Sequence, residues 1–143
     1  MNIAEVIAAK SAPDVITIEP EAGVRELLAL LAEHNVGALI VSADGEHIAG
    51  IVSERDIVRH LHRDGTVVNN TVSAIMTAVV ETCSPQTGLD ELMTTMTERR
   101  IRHVPVVDDG VLVGVVSIGD VVKHRMGQLE FERDQLDSYV HQT

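Results

Sequence analysis

The chain is a duplication. Residues 14–61 align with residues 79–125. At an offset of 65, Thr17 meets Thr82, Pro20 meets Pro85, Gly23 meets Gly88, Glu26 meets Glu91, Leu27 meets Leu92 and Glu33 meets Glu98. Val41 then meets Val106, and Asp44-Gly45 meets Asp109-Gly110. One residue is lost from the second copy. At an offset of 64, Gly50 meets Gly114, Val52 meets Val116, Ser53 meets Ser117, Asp56 meets Asp120 and His60 meets His124. So many identities in order, with one gap, define a repeated unit of about 48 residues. A single unit would leave a sheet face uncovered. Two units pressed together would bury a continuous Val/Ile/Leu surface.

Each unit reads as β-α-β-β-α, which places the chain in the α+β class. Short apolar strands open the units at 15–18 and 79–82, and turns follow at Pro20 and Pro85. Apolar residues then recur at helical spacing: Val24, Leu27, Leu28 and Leu31 in one copy, Leu89, Leu92, Met93 and Met96 in the other. Paired strands are expected at 38–42 and 47–52 around Asp44-Gly45, and at 102–107 and 111–116 around Asp109-Gly110. A last helix begins after Ser53 and Ser117. Residues 3–9 resemble 72–76 as a short helix ahead of each unit. The expected organisation is a first domain over 1–66 including its N-terminal helix, a second over 67–126, and a helical C-terminal extension over 127–143.

Composition narrows the function. The formal net charge of −11 disfavours partnership with nucleic acid or an anionic membrane. With no Trp, one Phe and one Tyr, there is no aromatic platform for stacking bases of a single strand. A lone cysteine, Cys83, makes neither an internal disulfide nor a cysteine-based zinc site, and fits a reducing cytoplasm. No signal-peptide pattern or long apolar run occurs, so a soluble cytoplasmic protein is expected. No phosphate-binding Gly-rich loop, nucleophile elbow or paired catalytic carboxylate is present, so no catalytic residue is assigned. His60 and His62 have no third ligand in the pattern, and no metal is assigned either.

Two stretches could carry binding chemistry: Gly50-Ile51-Val52-Ser53-Glu54-Arg55-Asp56 and Gly114-Val115-Val116-Ser117-Ile118-Gly119-Asp120. Each runs from strand to helix through Ser-x-x-Asp. Ser at the N-cap with an acid three positions on is close to a capping box, worth on the order of 1 kcal/mol. The other reading is that Asp56 and Asp120 accept the vicinal hydroxyls of a ribose, since a carboxylate offers two acceptor oxygens. The unpaired amides of the same helix start suit a phosphate, and Ser53 and Ser117 would both cap and touch the ligand. Arg99 and Arg100 end a helix, where cations offset the macrodipole. Arg102 and His103 open a strand whose alternation should turn at least one of them to a cleft. Gly37 and Ala38, at the matching positions, bring no charge and leave room for a flat base against the backbone.

The duplicated β-α-β-β-α unit ending in Gly-hydrophobic-Val-Ser-x-x-Asp resembles the CBS-domain family. So do Arg102-His103-Val104-Pro105-Val106-Val107-Asp108 and Ile75-Met76-Thr77. The resemblance runs to about Arg125. It implies a tandem CBS-domain pair, or Bateman module, with two clefts related by a pseudo-twofold axis. Such clefts hold AMP, ADP, ATP, NAD or S-adenosylmethionine. It further implies a phosphate contact at Arg102 or His103. In the Asp120 cleft, Ile118 would wall the adenine and Gly119 would allow close approach. In the Asp56 cleft, Arg55 is a further phosphate candidate, with Thr77 and Thr82 nearby.

The expected function is therefore a regulatory sensor with an adenine nucleotide as regulatory ligand, no catalytic cofactor and an unidentified protein effector acting in trans. Asp120 is preferred as the better-occupied site. The alternatives are a scaffold with vestigial clefts and, more remotely, a nucleotide-processing enzyme. Met126, Leu129, Leu136, Tyr139 and Val140 among charges, together with the resemblance, point to a homodimer or to packing of the extension on its own module.

Overall fold

The computed structural model describes residues 1–10 and 15–141. Asp14, where the first repeat begins, and the last two residues of the extension, Gln142 and Thr143, lie outside the described residues. The elements run α1 (Ile3–Ala8), β1 (Thr17–Ile18), α2 (Val24–His34), β2 (Ala38–Val41), β3 (Gly50–Ser53), α3 (Glu54–Arg63), α4 (Val72–Ile75), α5 (Leu89–Arg99), β4 (His103–Asp108), β5 (Val111–Ser117) and α6 (Ile118–His141). In the first unit β1 pairs parallel to β2, and β2 pairs antiparallel to β3. In the second, β4 and β5 form an antiparallel pair. This is the expected α+β architecture of two related units.

The duplication is visible at single backbone positions. Both unit-opening helices end in a left-handed residue, Asn35 (φ 52°) and Arg100 (φ 55°). The amide of Glu54 donates to Gly37 O at 3.0 Å, as that of Ile118 donates to Arg102 O at 2.8 Å.

Two local expectations change. The strand expected at 79–82 does not form. Cys83 alone bridges to Val106, and Val79 is 92% exposed. The residue at fault is Pro105, which stands where Ile40 stands in the first unit. Proline has no N–H to donate to the neighbouring strand, so the parallel ladder that β1 and β2 build stops at one bridge. The second change is at 42–49, where Asp44-Gly45 does not make a tight hairpin. Asp44 Oδ1 instead accepts from the amides of Glu46 and His47, both at 2.8 Å, and the pairing resumes only at Gly50. In the second unit Asp109 (φ 52°) and Gly110 (φ 79°) form the expected two-residue turn. The helix after Ser117 continues unbroken to His141, so the helical extension is a continuation of α6.

The two cores are built by exchange. One gathers Val24, Leu27, Leu39, Val41 and Val52 of the first unit with Val72 and Ile75 of α4. The other gathers Leu89, Leu92, Val104, Val106 and Val116 of the second unit with Ile3 and Val6 of α1. Each short helix thus packs on the unit that it does not precede through a β-strand of its own. Backbone bonds fix this. Ile3 N donates to Thr87 O and Ala4 N to Pro85 O, both at 2.9 Å, while Val72 N donates to Ala22 O at 2.8 Å and Ser73 N to Pro20 O at 2.9 Å. The helix-start amides, which have no partner within their own helix, are satisfied by the turn that opens the opposite unit. Asn2 closes α1 with a capping box to Glu5.

Ile3 is fully buried. Ile3→Ala should cost about 2–5 kcal/mol, and hydrogen exchange should speed up first in β4 and β5, not in β1–β3. A Cβ on Gly50 would lie 2.7 Å from the carbonyl oxygen of Thr77, whereas one on Gly114 meets the flexible tip of Ile7 at 3.1 Å. Gly50→Ala should therefore destabilise by about 1–3 kcal/mol in urea denaturation, and Gly114→Ala by less.

Candidate functional site

A cleft of about 470 Å³ opens where the units meet. From the first unit it is lined by Gly37, Ala38 and Ile40 of β2 and its approach, with Val15 and Ile16 beside them. From the second unit it is lined by His103, Gly114, Val115, Ser117 and Asp120. α1, packed on the second unit, adds Ile7 and Lys10. The walls are thus mostly small and aliphatic, with a few polar groups, the usual make-up of a small-molecule site.

Asp120 sits at the first turn of α6. Ser117 N donates to its Oδ2 at 2.9 Å, and its own amide donates to Ser117 Oγ at 3.2 Å. This is the reciprocal cap expected from Ser-x-x-Asp. Lys10 Nζ donates to the same oxygen at 3.0 Å and to Val115 O at 2.8 Å. Asp120 Oδ1 takes no hydrogen bond among the described residues. Burial pushes the Asp120 carboxyl up, but the Ser117 amide and the Lys10 ammonium outweigh it and hold the group below its ordinary value.

His103 reaches across the joint. Its Cε1 lies 3.6 Å from where a Cβ on Gly37 would be, an ordinary van der Waals distance, so the imidazole sits beside the Gly37 backbone. Burial drives the His103 imidazole below its ordinary value. Lys10 and Arg102 add to this, and Asp120 and Glu54 oppose it.

Ser117, Asp120, His103, Gly37 and Ala38 therefore share one cleft. Ile118 and Gly119 follow Ser117 in sequence but line a separate shallow depression on the outer side of α6. Arg102 is exposed, just before β4. In the first unit Asp56 Oδ2 accepts from Ser53 N at 2.9 Å and from Ser53 Oγ at 3.1 Å, again a capping box. Arg55 is exposed on the first turn of α3, and Thr82 is exposed ahead of Cys83. Thr77 exchanges both backbone bonds with Ile51, at 2.9 and 2.8 Å, and so covers β3 next to Gly50. Among the described residues the matching strand β5 is met by the side chains of Ile7 and Lys10 instead.

Lys10 was not legible as a site residue. It follows a helix that precedes the first unit, yet it serves the second. Only the exchange of helices places it beside Asp120. Ile7, Val15, Ile16 and Ile40 are wall residues for the same reason: nothing in local pattern distinguishes cleft from core.

Other groups read as structural. Burial, with Glu91 nearby, pushes the Cys83 thiol up to about 11, which removes it as a nucleophile at neutral pH. His60 Nδ1 bonds to Asp56 O at 2.9 Å within α3. Asp44, Glu46 and His47 offer ligand atoms within 4.8 Å of one another, but the Asp44 carboxylate is taken by the amides and imidazole of its own turn. Among the described residues no helix is long and apolar enough to cross a membrane.

Comparison with known proteins meets this geometry directly. The model of the CBS domain matches residues 3–63 and 72–127. A mitochondrial CBS-domain protein of Arabidopsis thaliana, CBSX3, is 40% identical over 115 residues, which are 77% of this chain and 56% of that protein. The chain thus spans little more than half of that relative's length. The crystal structure of the CBS-domain protein ATU1752 of Agrobacterium tumefaciens superposes with a TM-score of 0.82 at 38% identity, over 87% of this chain and 99% of that one. The CBS-domain pair of protein MJ0100, solved in complex with 5′-methylthioadenosine and S-adenosyl-L-methionine, superposes with a TM-score of 0.78 at 25% identity, over 90% of this chain and 98% of that one. Two matched units, exchanged helices and a shared cleft at their joint lead to one conclusion: the chain belongs to the CBS-domain family as a tandem pair, a Bateman module.

Proposed function

We propose that the cleft at Asp120 binds an adenine nucleotide and that the pair acts as its sensor, passing the signal to a separate protein effector. CBS-domain pairs are regulatory modules rather than catalysts, and this chain is one. The observation that carries the reading is the division of labour on the Asp120 carboxylate. Oδ2 is occupied by Ser117 and Lys10, while Oδ1 takes no hydrogen bond among the described residues, in a cleft lined by both units. Capping and ribose binding thus need different oxygens and do not compete. The adenosyl ligands held by MJ0100 support the same class of guest.

In this reading the ribose hydroxyls bond Asp120 Oδ1. The adenine lies against the Gly37–Ala38 backbone and the aliphatic side chains of Ile16 and Ile40. A phosphate lies toward Lys10 and His103, with Arg102 adding long-range attraction from the rim. AMP, ADP, ATP and NAD all carry these three parts. The Asp56 position, with Ser53, Arg55, Thr77 and Thr82 around it, is the weaker candidate, because the Ile51–Thr77 backbone pair covers the strand beside it. A ligand touching both units binds their relative poses unequally, which is what a sensor requires.

Asp120→Ala should weaken nucleotide binding about 10–150-fold in titration calorimetry, the loss of a charge-assisted hydrogen bond of about 1.5–3 kcal/mol. A thermal-shift panel of AMP, ATP, NAD and S-adenosylmethionine without any stabilisation would leave the pair as a scaffold with vestigial clefts. Binding should also depend on pH. His103 is held below its ordinary value when free, and a bound phosphate stabilises its protonated form. The ligand therefore arrives with a proton, and affinity for AMP should rise as the pH is lowered from about 7.5 to 6. His103→Ala should flatten that rise, and the difference between the two profiles cancels the titration of the phosphate itself.

A further inference from the structure

The cleft at Asp120 is lopsided in charge. The titratable side chains lining it are Lys10, His34, His103 and Asp120. Asp120 is the one carboxylate among them, and the Lys10 ammonium stands on it at 3.0 Å. The two side chains are 33% and 23% exposed, so salt screens this pair less than a surface pair. Lys10 is also tied to Val115 O at 2.8 Å. An ammonium has three N–H donors. Two are used here, and the third donates to nothing among the described residues. His34 and His103 bring positive charge or none, and Arg102 is exposed beside them. The nearby acid Glu54 is exposed and lies at the opposite, Gly37 side, where its Oε2 is 3.9 Å from the place of a Cβ.

We propose that Lys10 decides which adenosyl compounds the cleft admits, favouring an anionic group at the 5′ carbon and rejecting a cationic one. This rests on the adenosyl reading of the cleft and narrows it. Without Lys10, Asp120 would be a bare carboxylate in a half-enclosed site, and a sulfonium would be drawn to it. With Lys10 in place that negative charge is answered before any ligand arrives. What remains is an ammonium with a donor to give. A 5′-phosphate takes that donor in a charge-assisted hydrogen bond. A sulfonium at the same carbon meets like charge, and no second carboxylate among the described lining residues offsets it. Selection therefore works by repelling the wrong guest as much as by attracting the right one. The first unit has no such device. The stretch after α4, Thr77-Ala78-Val79-Val80, holds no cation, and Asp56 has no ion-pair partner among the described residues.

The test uses the full chain and a set of probes that share adenosine and differ at the 5′ carbon. AMP is anionic there, 5′-methylthioadenosine is neutral and S-adenosylmethionine is cationic. Titration calorimetry should rank them in that order, with AMP at least about tenfold tighter than S-adenosylmethionine. Lys10→Met should shrink the lead of AMP over 5′-methylthioadenosine about tenfold, through loss of a charge-assisted hydrogen bond. The same variant should raise S-adenosylmethionine relative to the neutral probe, because the Asp120 carboxylate loses its counter-charge. If Lys10 only staples α1 to the second unit, Lys10→Met lowers every probe by one common factor, and that result would overturn the proposal. A wild-type chain that binds S-adenosylmethionine as tightly as AMP would overturn it too, while leaving the adenosyl reading of the cleft intact. Binding of none of the probes would remove that reading and this inference with it.

Discussion

The molecule depends on the trade of two short helices between its halves. α1 has six residues and α4 has four. Neither is long enough to hold its shape in water, where a first turn costs several fixed dihedrals for one hydrogen bond. Each persists because its leading amides bond the carbonyls of the turn opening the opposite unit, and because its apolar residues complete that unit's core. The same trade lays Ile7 and Lys10 along β5, giving the Asp120 cleft a wall and a cation. Fold and site share one cause.

The equivalence of the two units under duplication breaks where single residues differ. Pro105 in place of an isoleucine ends a parallel ladder, so the second sheet has two strands where the first has three. His103 in place of an alanine gives the cleft an imidazole, and Gly37 stands beside it where the second unit has Arg102. The backbone of Thr77 covers β3, while side chains meet the matching β5. Small substitutions on a repeated frame thus make the two sides of the joint differ among the described residues.

Much of the fold was legible because duplication tests itself: a pattern found once is weak, and found twice in order it is firm. The helices at Val24 and Leu89, the Asp109-Gly110 turn and the Ser-x-x-Asp caps all follow from local periodicity and turn chemistry. The strand expected at 79–82 failed for a non-local reason, since its ladder depended on an N–H that the neighbouring strand lacks. The candidate cleft was legible only in part. Asp120 and Ser117 announce themselves as a motif, and His103 as a polar residue on a strand. Lys10 and Ile16 do not, because their role comes from chain routing between units and not from their neighbours in sequence. Ile118 and Gly119 show the converse. They sit next to Ser117 in the chain, yet the helical turn carries them to the outer side of α6.

The crossed helices also bear on how such a module can be inherited. Cutting the chain between Arg63 and Thr71 would leave each fragment carrying a helix cut to fit the other fragment and lacking the one cut to fit itself. Half of the molecule is therefore not a smaller version of the whole. A gene that borrows this architecture has to borrow both repeats together, so the evolutionary coin here is the couple, although the sequence was written by copying a single.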